Sequence, residues 1–236
     1  MSEVMFAGPE GRLEGRYHKS DKEGAPIALI LHSEPEFGGN MNDKVTYTLF
    51  QSFVALGFSV LRFNFHSVGN PAAASQKDDG SIELTSATAA LDWLQMENKD
   101  AKICWVAGFS FGAWIGMQLL MRRPEINGFV SVAPPAAFRD FSFLAPCPTS
   151  GLILQGEKDE RNPENAVAKL IEDLERQRGI NVEYKIIPAS DHHFTGHLKE
   201  VYLKTIEYVT EAMKHKPRKV GKKSSRTAKK LEEANA

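Results

Sequence analysis

The chain has 236 residues, 42% apolar and 25% charged, enough to bury one substantial core and long for a second full domain. Its N-terminus, MSEVMFAGPEGR, lacks an apolar targeting stretch and no uninterrupted apolar run approaches ~18 residues, so neither export nor membrane spanning is expected and the protein reads as cytoplasmic. The net charge of −1 hides an asymmetry: residues 214–236 hold 9 of the 29 Lys and Arg but 2 of the 30 Asp and Glu, which puts +7 on the tail and −8 on the body.

A basic tail can touch nucleic acid, but this one has no aromatic to stack on bases and almost nothing to bury. We therefore expect a disordered extension at 214–236, nucleic-acid contact at most through it, and a folded domain at 1–213. The two cysteines, Cys104 and Cys147, give neither a disulfide framework nor a metal-binding spacing.

In chain order, Val4–Gly8 and Leu13–His18 flank Pro9-Glu10-Gly11 as an antiparallel hairpin. Ile27–Leu31 is a continuous apolar run, as expected of a strand buried on both faces. It ends in a turn-rich loop, His32 to Asn40, and Asp43 then caps a helix carrying Val45, Leu49, Phe53 and Leu56. Phe58–Phe65 is the next strand, and a helix runs from Ile82 to about Glu97. Ile103–Phe109 forms a strand and Phe111–Arg123 a helix; Gly128–Ala133 and Gly151–Gln155 are further strands. Asn162 caps a helix that starts at Pro163 and runs to Arg178, Val182–Ile187 is the last strand, and His197–Lys214 the last helix. Strands alternating with helices predict an α/β fold: a doubly wound, mostly parallel sheet with an antiparallel N-terminal hairpin and helices on both faces. Ligands on such sheets gather at the carboxyl ends of the strands.

Candidate chemistry follows those strand ends. Ser110 lies in Gly108-Phe109-Ser110-Phe111-Gly112, at a strand-to-helix corner that exposes a nucleophile. Asp159 follows Gly151–Gln155, while His192 and His193 follow Val182–Ile187. A serine hydroxyl needs a histidine to accept its proton and an acid to fix the imidazole tautomer. The order Ser, Asp, His is the one used by α/β-hydrolases. The backbone N–H of Phe111, and that of Glu34 in the loop after Ile27–Leu31, are the expected oxyanion donors. His32, Phe37, Phe109 and His193 are candidates for the substrate pocket.

Each element alone has a plain structural explanation: the pentapeptide as a tight turn, Asp159 as a cap, the histidine pair as solvated loop. Adjacent histidines lack the i, i+4 spacing of a zinc site, so no metal is expected. What points to catalysis is their joint placement after successive strands. Spacing alone leaves His192 and His193 equivalent.

With these residues in view, the chain resembles the α/β-hydrolase superfamily, and within it small, cap-less bacterial hydrolases related to dienelactone hydrolases. The resemblance spans about Met5 to about Tyr208, and its marks include Gly38-Gly39-Asn40-Met41-Asn42, Leu61-Arg62-Phe63-Asn64-Phe65, Ala90-Leu91-Asp92-Trp93 and the Ser110 pentapeptide. It implies Ser110 as nucleophile, Asp159 as acid and His192 as base, the last because the family histidine directly follows Asn or Asp. Two stretches depart from the family pattern. His32-Ser33-Glu34-Pro35 stands for His-Pro-His-Pro, and the Glu34 carboxylate could oppose a developing oxyanion. His66-Ser67-Val68-Gly69-Asn70-Pro71 stands for Arg-Gly-Val-Gly-Arg-Ser.

Only a short segment separates Ala133 from Gly151, too little for a helical cap, so an open site with an apolar rim is expected. The expected activity is hydrolysis of small carboxylic esters, or related acyl compounds, through an acyl-serine, with no cofactor. The alternatives are an acyltransferase or peptidase on the same residues, or a binding protein that kept the fold and lost turnover. The hairpin or final helix could support a homodimer.

Overall fold

The computed structural model describes residues 1–69 and 80–214. The 214–236 tail beyond Lys214, and Asn70-Pro71, lie outside them. Eight strands form one sheet: β1 (Ser2–Gly8), β2 (Gly11–His18), β3 (Ile27–Leu31), β4 (Ser59–Phe63), β5 (Cys104–Phe109), β6 (Ile126–Val132), β7 (Gly151–Gly156) and β8 (Val182–Ile187). Among the described residues five α-helices accompany them: α1 (Lys44–Ala55), α2 (Ser81–Glu97), α3 (Phe111–Arg122), α4 (Glu164–Glu175) and α5 (Leu198–Lys214). The strand order is β1-β2-β4-β3-β5-β6-β7-β8, antiparallel for β1/β2 and β2/β4 and parallel from β4 to β8. This is the doubly wound sheet with an antiparallel N-terminal edge that the element pattern predicts. Between β6 and β7 lies only one short helical turn, Ser142–Leu144, so no helical cap is inserted there.

Alternation along β3 shows why its run is uninterrupted. Ile27, Leu29 and Leu31 face the layer of α2, α3 and α4, whereas Ala28 and Ile30 face α1 and α5. Fully burying such a side chain contributes about 1.5–3 kcal/mol, so a polar residue at any of these positions would be costly. The hairpin is joined to the body by Phe6 and Tyr17, whose rings lie 5.4 and 5.2 Å from Trp93 on α2. No helix among the described residues is long and apolar enough to cross a membrane.

Several limits shift by one to three residues, as where β6 begins at Ile126 and α4 ends at Glu175, and two of the shifts have a side-chain cause. β4 stops at Phe63 because Asn64 leaves the strand to accept Met41 N–H at 2.8 Å and to donate to Glu14. α4 starts at Glu164, with Pro163 before it, and Asn162 does not cap it. Its side chain instead donates to Ala133 O at 3.2 Å, and its N–H is taken by Asp159.

Candidate active site

The carboxyl ends of β3, β5, β6, β7 and β8 form one rim, and each sends a loop into the site. Ser110 sits between β5 and α3 at φ 53°, ψ −118°, a left-handed backbone that costs a non-glycine residue about 1–3 kcal/mol. The cost is offset by a fixed frame: Ser110 N donates to Val132 O at 2.8 Å, and Ser110 O accepts from Ala113 N at 2.9 Å.

The flanking glycines permit this corner. A Cβ on Gly108 would overlap Gly112 O and lie 2.6 Å from Ala113 N. A Cβ on Gly112 would overlap His32 O and lie 2.5 Å from Leu31 O. The second contact joins two regions far apart in sequence: the start of α3 lies directly against the end of β3. Removing a side chain at Gly112 thus brings the 32–34 loop beside Ser110 and Phe111.

Asp159 and His192 meet directly. His192 Nδ1 lies 2.8 Å from Asp159 Oδ2, and both residues are buried. Asp159 Oδ1 accepts from Arg161 N at 2.9 Å and Asn162 N at 2.8 Å, and Oδ2 also accepts from Gln155 Nε2 at 3.2 Å. A carboxylate can only accept, so Nδ1 carries the proton and Nε2 the lone pair. Among the described residues Ser110 Oγ makes no hydrogen bond to that nitrogen; such contacts are often long until substrate binds. The ring is seated on Phe109, the residue before Ser110, at 5.1 Å between centres. His193 is exposed and 5.2 Å from the His192 ring. Its pKa is lowered by partial burial and by the nearby His192 and Arg161. Asp159 therefore separates the two histidines where spacing cannot.

The loop after β3 carries Glu34, whose carbonyl accepts from Phe37 N at 3.2 Å and Gly39 N at 2.9 Å. Its side chain is paired with Arg139, Nη2 to Oε1 3.2 Å, across from the loop after β6. Phe111 packs inward against Phe65 and Trp114, at 6.1 and 5.7 Å between rings.

The pocket candidates divide. Phe37 is 70% exposed at the mouth, 5.8 Å from the Arg161 guanidinium, and Phe138 in the loop after β6 is 74% exposed. His32 and Phe109 are 0% exposed and do not line an open pocket. Both His32 nitrogens are spent on backbone: Nδ1 donates to Ser33 O at 2.6 Å and Nε2 accepts from Phe65 N at 3.0 Å. Burial pushes its pKa down to about 4, so this imidazole is a neutral strut between two loops. Phe109 is the floor under both histidines.

Three contributors were not anticipated from sequence: Gln155, Arg161 and Arg139. Gln155 is the one polar side chain in the apolar run of β7, which is a usable signal. Arg139 lies in an irregular loop and gives none. A separate cavity of about 500 Å³ lies between residues 136–145 and α4, away from Ser110, Asp159 and His192.

Comparison with known proteins agrees with this fold. The family model of the dienelactone hydrolase family matches residues 23–222. An uncharacterized protein of Rickettsia prowazekii (strain Madrid E) is 44% identical over 98% of this chain and 99% of its own. The solved structure of an alpha/beta hydrolase candidate of unknown function from Agrobacterium tumefaciens superposes with a TM-score of 0.86. It is 50% identical, covering 92% of this chain and 98% of that one. An alpha-beta serine hydrolase homologue from Coxiella burnetii gives a TM-score of 0.78 at 30% identity, over 88% and 97% of the two chains.

Proposed function

This chain belongs to the dienelactone hydrolase family, and we propose that it is a serine hydrolase cleaving small carboxylic esters through an acyl-Ser110 intermediate. The observation that carries this reading is the 2.8 Å contact of Asp159 with His192 Nδ1, beside a serine at a strained strand-to-helix corner. The serine hydrolase homologue at 30% identity supports the same chemistry.

In the first half-reaction Ser110 Oγ attacks the ester carbonyl carbon while His192 Nε2 accepts the hydroxyl proton. Asp159 holds the resulting imidazolium and fixes its tautomer. The negative charge that forms on the carbonyl oxygen is met by the N–H groups of Phe111, at the positive end of α3, and Glu34. Collapse breaks the bond to the alcohol oxygen, which leaves with the proton from His192. Water then attacks the acyl-serine by the same route, giving the carboxylic acid and restoring Ser110. Losing one oxyanion donor costs ~10²–10³ in turnover, and losing the nucleophile on the order of 10⁶ in a measured serine protease.

The uncovered rim and the exposed Phe37 and Phe138 favour short acyl esters with an apolar group over phosphates or sugars. The test is a fluorophosphonate probe with mass-spectrometric mapping of the adduct. We expect the label on Ser110 and none in a Ser110→Ala variant, with labelling strongly slowed by His192→Ala. An unlabelled Ser110, or equal labelling without His192, rejects the reading.

A further inference from the structure

One guanidinium reaches both residues assigned to the oxyanion site. Arg139 Nη2 lies 3.2 Å from Glu34 Oε1, and its Cζ stands 5.5 Å from the Phe111 ring centre and 5.0 Å from that of Trp114. The two charged side chains are only 16% and 22% exposed, so solvent screens the pair poorly. The Arg139 loop is also fixed to α3, since Trp114 Nε1 donates to Asp140 O at 2.9 Å. Arg139 N donates to Pro135 O at 2.9 Å, which tightens the same loop at the end of β6.

A carboxylate at position 34 is the wrong charge for a place beside a developing oxyanion. Two like unit charges ~6 Å apart at an effective dielectric of ~20 oppose each other by enough to slow a reaction about 10²-fold. We propose that Arg139 is a positioning residue that neutralises Glu34 beside the oxyanion site, held over it by stacking on Phe111 and Trp114. The proposal rests on the serine-hydrolase reading of the site. Its planar cation can pair with a carboxylate at its edge while its face lies on two rings, a geometry that a lysine ammonium meets less closely while keeping the charge. The loop after β6 thereby supplies no reacting group. It supplies the countercharge that lets the 32–34 loop keep an acidic residue.

The experiment compares kcat and KM for p-nitrophenyl acetate in wild type, Arg139→Met, and Arg139→Met with Glu34→Gln. Methionine keeps a flexible apolar stem over the rings and removes the charge. We expect kcat to fall about 10²-fold with KM within about 3-fold, because the Glu34 carboxylate without the Arg139 charge acts on the transition state and not on ester binding. Adding Glu34→Gln should recover at least about 10-fold of that loss, since no charge is then left to neutralise. A purely structural role would lower Tm and give no such rescue. Unchanged kcat in Arg139→Met, or a loss that Glu34→Gln does not relieve, overturns the proposal. Should Arg139→Met fail to fold, Arg139→Lys carries the test. It keeps the charge, so kcat should stay within about 10-fold of wild type, and a loss of about 10²-fold in a folded protein overturns the proposal. Fluorophosphonate labelling of wild-type Ser110 separates the two failures. Without a label the site reading itself is lost, whereas a label with an indifferent Arg139→Met removes only the role of Arg139.

Discussion

The two halves of the strand-end rim are held together by different means. At the ends of β7 and β8, Asp159 and His192 are buried and Asp159 accepts four hydrogen bonds, two from backbone and two from side chains. At the ends of β3 and β5, position is set by backbone against backbone: Ser110 by its bond to Val132, and the 32–34 loop by its approach to Gly112. One half depends on which atoms the side chains present. The other depends on how little side chain is present, and on the charge of the one that is. Substitutions should therefore fail in different ways on the two sides.

Asp159→Asn is the largest break we expect on the side-chain-held side. The N–H groups of Arg161 and Asn162 both point at Oδ1, so an asparagine must place its oxygen there and its NH₂ at the Oδ2 position. The NH₂ then faces His192 Nδ1, which must become an acceptor, and the proton moves to Nε2, where a base needs a lone pair. Gln155 must then turn its Oε1, which is buried without a partner among the described residues, toward the new NH₂ and give up its Nε2 bond to Asn162 O at 2.7 Å. The fold should lose about one hydrogen bond, roughly 1 kcal/mol. A drop in kcat of about 10⁴-fold with a Tm near wild type is expected, from steady-state kinetics and thermal unfolding. A loss below ~10-fold would mean that tautomer control is not what Asp159 supplies.

On the backbone-held side the matching break is Gly112→Ala. The new methyl would lie 2.5 Å from Leu31 O, and backbone cannot swing aside as a flexible side chain can. The end of β3 must move off by roughly 1 Å, which separates the Glu34 and Phe111 amides and costs about 10²-fold in kcat. Gly116→Ala, one turn further along α3, is the control. Its Cβ would meet only side-chain atoms, Val106 Cγ2 at 3.2 Å and Leu31 Cδ1 at 3.4 Å, and it gains up to ~1 kcal/mol of helix propensity. Kinetics of the pair decide the point: similar kcat values would show that the close approach at Gly112 is structural only.

The same contrast explains what could be read from the chain. The strand buried on both faces, Ile27–Leu31, stands out as an unbroken apolar run and forms with the expected limits; the edge strand Val182–Ile187, interrupted by Glu183 and Lys185, keeps its limits as well. Where a polar side chain prefers a distant partner the limits slip, as with Asn64 leaving β4 and Asn162 leaving the start of α4. The placement of Ser110, Asp159 and His192 at one end of the sheet is legible because each follows its own strand with a local signature. Whether a residue near a strand end faces solvent or core is not legible, which is why His32 and Phe109 read as pocket walls and are 0% exposed. Arg139 is beyond reach altogether: it stands 105 residues from Glu34, in a loop without periodicity.

His32 is the exception within the backbone-held half, since a side chain ties that loop down, and it makes the smallest prediction. Its imidazole accepts from Phe65 N and donates to Ser33 O, so a second proton would set Nε2–H against Phe65 N–H. Burial lowers its pKa from 6.5 to about 4, so between these values the unfolded chain binds a proton that the folded protein refuses. Stability must therefore rise with pH across that window. The contribution is complete above about pH 6.5 and is lost progressively as pH falls toward 4. From the size of the shift the loss is about 3 kcal/mol. At neutral pH the effect on stability and rate is nil. Urea unfolding between pH 4 and 7 should show this slope in wild type and a shallower one in His32→Gln, whose amide can donate and accept without titrating. Parallel slopes in the two proteins would show that His32 is protonated without leaving its place, and that backbone alone holds the loop.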